Sequence, residues 1–117
     1  MAGLRTQVCD AVSRIVQEAL VNVRKHSGAS HVHVQFDRGD AGWRLIIDDD
    51  GRGFPFSGCL SLMDLDAEGK GPVVIKECVR LMSGDLRLES ISRRGSRLEI
   101  MIPQKRPAFL WISKGLI

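Results

Sequence analysis

Asp48-Asp49-Asp50-Gly51-Arg52-Gly53-Phe54 is the stretch around which the rest of this chain must arrange itself. It follows directly on Trp43-Arg44-Leu45-Ile46-Ile47, a strand-like run in which Trp43, Leu45 and Ile47 share one face. Three carboxylates then meet two glycines spaced i, i+2. Glycine has no Cβ, so the backbone here is free to turn sharply and to approach a ligand closely. A carboxylate at a strand end, beside exposed backbone, is placed to accept a hydrogen bond from an amine of a flat heterocycle. An acidic surface turn is the plainer alternative for this stretch alone, and the flanking sequence decides between the two.

A chain of 117 residues suits one domain, long enough for a sizeable core and short for two. Its 44% hydrophobic and 26% charged residues are those of an ordinary soluble globular protein. The net charge of +3 comes without an extended lysine and arginine stripe, so charge gives no sign of nucleic-acid binding. Cys9, Cys59 and Cys78 lack both C-x-x-C and Cys/His ligand spacing and read as free thiols of a reducing compartment. With no leader-like segment and no apolar run of membrane-spanning length, the expected location is cytoplasmic.

From about Leu4 to His26 the apolar residues Val8, Val12, Ile15, Val16, Ala19, Leu20 and Val23 recur with the spacing of a buried helical stripe. Ser27-Gly28 supplies the stop, glycine being suited to a left-handed cap. Glu18, Asn22 and Lys25 fall at i, i+4 and i+7 and project from nearly one line. A solvated helix flank explains them. So does a site for hydrated Mg²⁺ and the phosphates it neutralises, since magnesium keeps several waters and needs only one or two protein oxygens.

Two strands come next. Val32, Val34 and Phe36 alternate with His31, His33 and Gln35, and Arg38-Gly39-Asp40-Ala41-Gly42 turns the chain into the Trp43–Ile47 strand. His31 and His33 point the same way, but no third ligand is near, so exposed strand histidines are expected rather than a metal site. Between Phe54 and Lys70 the sequence loses all period, which suggests a long loop of the kind that serves as a lid. Gly69-Lys70-Gly71-Pro72 then leads into a helix with Val74, Ile75, Cys78, Val79 and Met82 on one stripe and proline at its first position. That glycine-rich approach to a helix N-terminus is a ready anion site. Neither the Walker A spacing nor G-x-G-x-x-G is present. Leu86 and Leu88, a turn at Ser92-Arg93-Arg94-Gly95, and Leu98, Ile100 and Ile102 close the chain with a second hairpin. The order of elements implies an α/β two-layer sandwich: a mostly antiparallel, mixed sheet with helices packed on one face. Residues 1–103 form the domain and 104–117 a C-terminal tail or linker without clear period.

In combination these pieces resemble the ATP-binding domains of the GHKL group, the Bergerat fold found in gyrase, MutL, a heat-shock chaperone, anti-sigma-factor kinases and sensor histidine kinases. Gln17-Glu18-Ala19-Leu20-Val21-Asn22-Val23-Arg24-Lys25-His26 is similar to the N-box, and Asp49-Asp50-Gly51-Arg52-Gly53 to the D-x-G-x-G box. Gly69-Lys70-Gly71 is similar to the second glycine box, and Arg94-Gly95-Ser96 to the G-T box, with serine where threonine is usual. Pro72 stands where leucine is usual. The wording of the first two boxes most resembles sensor histidine kinases related to nitrate and lipid-fluidity sensors.

The resemblance implies ATP and Mg²⁺ as cofactors. Asn22 would coordinate Mg²⁺, Glu18 would orient its water shell or act as a base, Lys25 would neutralise phosphate, and His26 would lie near the nucleotide. Asp49 would accept the adenine amino hydrogen. Gly51 and Gly53 would leave room for the purine, Gly69 and Gly71 would hinge the lid, and the Ser96 hydroxyl would serve as threonine does. It also implies a phosphoacceptor and dimerisation domain of the same kinase as partner, a response regulator further on, no nucleic acid, and a monomeric isolated domain. Two other members of the group offer alternatives: an ATPase of the gyrase or MutL type in which Glu18 activates water, and an anti-sigma-like serine kinase or binding module.

Overall fold

The computed structural model describes residues 6–54, 57–91 and 94–103. Helix α1 spans Thr6–Asn22 and continues into a π-helical turn, Val23–Ser27. Strands β1 (Val32–Arg38) and β2 (Gly42–Asp49) follow. Then come strand β3 (Gly58–Ser61), helices α2 (Leu62–Glu68) and α3 (Val73–Leu81), and strands β4 (Asp85–Ile91) and β5 (Gly95–Pro103). Among the described residues no helix is long and apolar enough to cross a membrane.

One sheet holds all five strands in the order β1-β2-β5-β4-β3, and every neighbouring pair is antiparallel. Both expected hairpins form, and β5 joins them by pairing β2 from Gly42↔Pro103 to Asp49↔Ser96. Residues paired across neighbouring strands share a face. The rows Leu45–Ile100–Leu86 and Ile47–Leu98–Leu88 therefore line one side. There they join Ala11, Ile15 and Ala19 of α1 and Ile75, Cys78 and Val79 of α3 in a single core. Ile15, Leu45, Ile75, Leu88 and Ile100 are fully buried, and each such side chain contributes about 1.5–3 kcal/mol. The other side carries charge: Arg97 Nε meets Asp48 Oδ1 at 2.7 Å and Arg44 Nε meets Glu99 Oε2 at 3.0 Å. Among the described residues the helices lie on one face, so the α/β two-layer sandwich is the fold, and the sheet is antiparallel throughout rather than mixed.

The structure corrects several details. The α-helix ends at Asn22 rather than His26, and its buried stripe is Ala11–Ile15–Ala19, with Leu20 exposed. Val32 and Val34 are exposed, because β1 is an edge strand lying beyond the core that α1 and α3 cover. Pro72 is the N-cap of α3, in extended conformation, and not its first helical residue. The segment expected to be a structureless lid contains β3 and α2. Its period is hidden because a four-residue strand and a seven-residue helix are each too short to show one. Helix α2 starts on a capping box, Ser61 Oγ accepting from Asp64 N–H at 3.1 Å and Asp64 Oδ2 from Ser61 N–H at 2.9 Å. Its Leu65 is fully buried and anchors it to the core. The expected turn residues Ser92 and Arg93, and the tail at 104–117, lie outside the described residues.

Candidate functional site

The three consecutive carboxylates part company at the end of β2. Strand alternation sends Asp48 to the open face, where Arg97 holds it. Asp49, the next residue, turns to the helix-covered face and is half-buried. Its Oδ2 accepts the Ser96 hydroxyl proton at 2.6 Å and its Oδ1 accepts the Gly51 N–H at 2.9 Å. Asp50 has left the strand. Its Oδ1 accepts the N–H groups of Ser30 and His31 at 2.8 and 2.9 Å, and its Oδ2 meets His31 Nδ1 at 3.0 Å. These bonds, the His31 N–H first among them, hold the Asp50 carboxyl below the usual carboxylate range. Asp50 N–H also reaches His31 O at 3.3 Å, so the turn after α1 is tied to the sheet end that carries Asp49.

Across the sheet, Asp49 pairs with Ser96 and Ser96 with Ser90, a polar row directly beyond the apolar row Ile47–Leu98–Leu88. Packing here is close enough to require glycine. Gly95 has φ +119°, and a Cβ there would stand 2.0 Å from Asp49 O. Gly53 has φ +77°, and its Cβ would stand 2.7 Å from Ser90 Oγ. Ser90 is fully buried and accepts the Phe54 N–H at 2.7 Å. Asp49, Gly51, Gly53 and Ser96 are therefore brought together at one end of the sheet.

Glu18 and Asn22 sit one turn apart on α1, both half-buried, whereas Lys25 is exposed. The single line expected of the three breaks at Val23, where i→i+5 hydrogen bonding widens the helix and Lys25 ceases to follow Asn22 by an α-helical step. Such π-turns are frequent at functional sites. Gly28, left-handed at φ 65°, ends the turn as its cap. Glu18, Arg14 and Glu77 all act on the Cys78 thiol between the two helices, whose pKa is raised chiefly by burial. The side chain of His26 lies outside the described residues. A carboxylate and a carboxamide so placed are hard oxygen donors and fit Mg²⁺. Among the described residues no group of three or more His, Cys, Asp or Glu could hold a metal ion, and His31 precedes β1 and pairs with Asp50.

Gly69 and Gly71 stand apart from the Asp49 set. Gly69, at φ 64°, caps α2, and Gly71, at φ 92°, would bring a Cβ within 3.3 Å of the Leu65 methyl groups. Beside them is a residue that the sequence reading missed. Lys76, 8% exposed, donates from Nζ to Lys70 O at 2.8 Å and pairs with Asp66 at 3.3 Å, while Arg80 holds the same Asp66 carboxylate. Helix α3 thereby fastens both α2 and the Gly69–Gly71 turn. Ser90 was missed as well, since one more polar residue at an inward position carries no motif of its own.

Comparison with known proteins agrees with this geometry. The chain belongs to the family of histidine kinase-, DNA gyrase B- and HSP90-like ATPases, whose model matches residues 8–106. It is 37% identical over 94 residues to the signal transduction histidine-protein kinase/phosphatase DegS of Brevibacillus brevis, covering 80% of this chain and 22% of that protein. It is 33% identical over 94 residues to the sensor histidine kinase LiaS of Bacillus subtilis, covering 80% of this chain and 24% of that protein. The ATP binding domain of PrrB from Mycobacterium tuberculosis superposes with a TM-score of 0.63 at 25% identity, over 83% of this chain and 69% of that one. Within the family, the relatives named here are a signal transduction histidine-protein kinase/phosphatase and a sensor histidine kinase, and the structural neighbour is an ATP binding domain. The chain spans about a quarter or less of the curated relatives it matches.

Proposed function

We propose that this domain binds ATP together with Mg²⁺ and donates the γ-phosphoryl group to a histidine on a dimerisation domain of the same kinase, from which a response regulator receives it. The single observation that carries the reading is the Asp49 carboxylate: fixed by Ser96 and Gly51 at the end of the core, it offers a pre-oriented acceptor to an adenine amine. Gly51 and Gly53 leave the purine room, and Gly69 and Gly71 let the lid meet the phosphates. Asn22 and Glu18 would hold the metal, which supplies positive charge against the phosphates. Lys25 adds to that charge, His26 lies near the nucleotide, and Glu18 orients water or acts as base. Phosphoryl transfer is mostly positioning and electrostatics, so these residues suffice on the nucleotide side. The likeness of Glu18–Ser27 and Asp49–Phe54 to nitrate- and lipid-fluidity-type sensors supports that branch, and with it a cytoplasmic domain bounded at about residue 103. The test is calorimetric titration with Mg·ATP of the native chain and of Asp49→Ala: binding by the first and a loss of at least about tenfold in the second is expected, the effect of one buried hydrogen bond. Equal binding by both would defeat the proposal.

A further inference from the structure

The D-x-G-x-G loop is held from both sides by hydroxyls, and only one of them belongs to a recognised box. Ser96 of β5 fixes the Asp49 carboxylate. Ser90 of β4, its cross-strand partner, reaches the far limb of the same loop, accepting the Phe54 N–H at 2.7 Å and facing Phe54 O at 3.4 Å. The fit is tight, since a Cβ on Gly53 would lie 2.7 Å from Ser90 Oγ and 3.0 Å from both Gly95 O and Ile91 O. Ser90 is fully buried, where an apolar residue would be the ordinary occupant of the inner face. The hydroxyl there supplies an acceptor to the Phe54 N–H opposite it.

From this we infer that Ser90 is a positioning residue for the nucleotide: through the Phe54 amide it sets how far the Gly51–Gly53 limb stands from the Asp49 carboxylate, and so sets affinity and the preference for adenine over guanine. The inference rests on the ATP-binding reading above. Ser90 is fully buried. It acts through backbone, in the way Ser96 acts through the carboxylate.

The experiment uses the 117-residue chain. Ser90→Ala deletes the acceptor, and Ser90→Cys keeps one that is weaker and somewhat larger. Ile102→Val, in the core at the opposite end of the sheet, serves as a stability control. Affinities for Mg·ATP and Mg·GTP are measured by calorimetry, and exchange of the Phe54 amide by NMR. Ser90→Ala should weaken ATP binding about tenfold, the effect of one net hydrogen bond, with Ser90→Cys intermediate. The ATP/GTP ratio should narrow and Phe54 exchange should quicken, while Ile102→Val, though less stable, binds ATP as the native chain does. If the native chain binds ATP and both Ser90 variants match it within about twofold, the inference is overturned, whether or not Phe54 exchange changes. Equal ATP affinity losses in Ile102→Val would overturn it too, by reducing the effect to general stability. Failure of the native chain to bind ATP is a different result, which removes the functional reading itself.

Discussion

Replacing Gly95 by alanine concentrates the demands of this site on one methyl group. The added Cβ would stand 2.0 Å from Asp49 O and 2.9 Å from Asp49 C, both backbone atoms that cannot rotate aside. The φ of +119° is itself a conformation that alanine rarely adopts. Forcing that conformation costs about 1–3 kcal/mol, and overpacking adds about 1–3 kcal/mol. The sum, about 2–6 kcal/mol, is a large part of the roughly 5–15 kcal/mol that holds a domain folded. At about 4–8 °C per kcal/mol for a domain of this size, a central loss of about 4 kcal/mol lowers the Tm by some 15–30 °C. Gly58→Ala supplies the comparison: its φ is +127°, but a Cβ there meets nothing within 4 Å, so only the conformational part applies. Thermal unfolding of the two variants side by side isolates the clash. Should Gly95→Ala melt within about 3 °C of Gly58→Ala, the close seating of β5 against Asp49 would be wrong.

Further outcomes follow from the same geometry. Asn22→Ala should weaken Mg·ATP binding and abolish phosphoryl transfer in the complete kinase, and Glu18→Gln should spare binding and slow transfer; native behaviour in both variants would return the α1 pair to a solvated flank. The chain alone should not phosphorylate itself, because His31 is engaged by Asp50 and the acceptor is expected on another domain. Acid-labile label on the isolated chain after incubation with ATP would contradict this. Asp66 is held below its ordinary value of 3.8 chiefly by Arg80, and Asp64 likewise by the Ser61 N–H. Carboxyls lowered by folding stabilise in full above that value and lose the effect as pH falls through the folded one. Acidification below about pH 4 should therefore loosen α2 before α3. Amide exchange, corrected for intrinsic rates, should show Leu65–Glu68 losing protection first, and simultaneous loss in both helices would count against the Asp66 fastening.

Most of the fold was legible because its longer elements bury one face at full period. The Leu45/Ile47, Leu86/Leu88 and Leu98/Ile100/Ile102 alternations and the α3 stripe all lie where the pattern puts them. Asp49, Gly51, Gly53 and Ser96 were legible through their motif, and strand parity then explains why Asp49 and not Asp48 faces inward. What escaped depends on neighbours rather than on pattern. Val32 and Val34 alternate like a buried strand, yet nothing in their sequence says that β1 is an edge. The Ser61/Asp64 capping box was readable, but the helix it starts is too short to show a stripe. Lys76 sits in an apolar run as an ordinary exposed lysine would, and only the fold supplies Lys70 O and Asp66 as partners. The change to i→i+5 bonding at Val23 has no residue signature at all.

The central claim is that Asp49 reads adenine, and competition between nucleotides on the native chain tests it most directly. Guanine carries a carbonyl where adenine carries the amine, so GTP would set an oxygen against the Asp49 carboxylate. Calorimetry in Mg²⁺ should show ATP binding at least about tenfold more tightly than GTP, with the difference largely removed by Asp49→Ala. Equal affinity of the native chain for ATP and GTP, or a preference untouched by Asp49→Ala, would contradict the account.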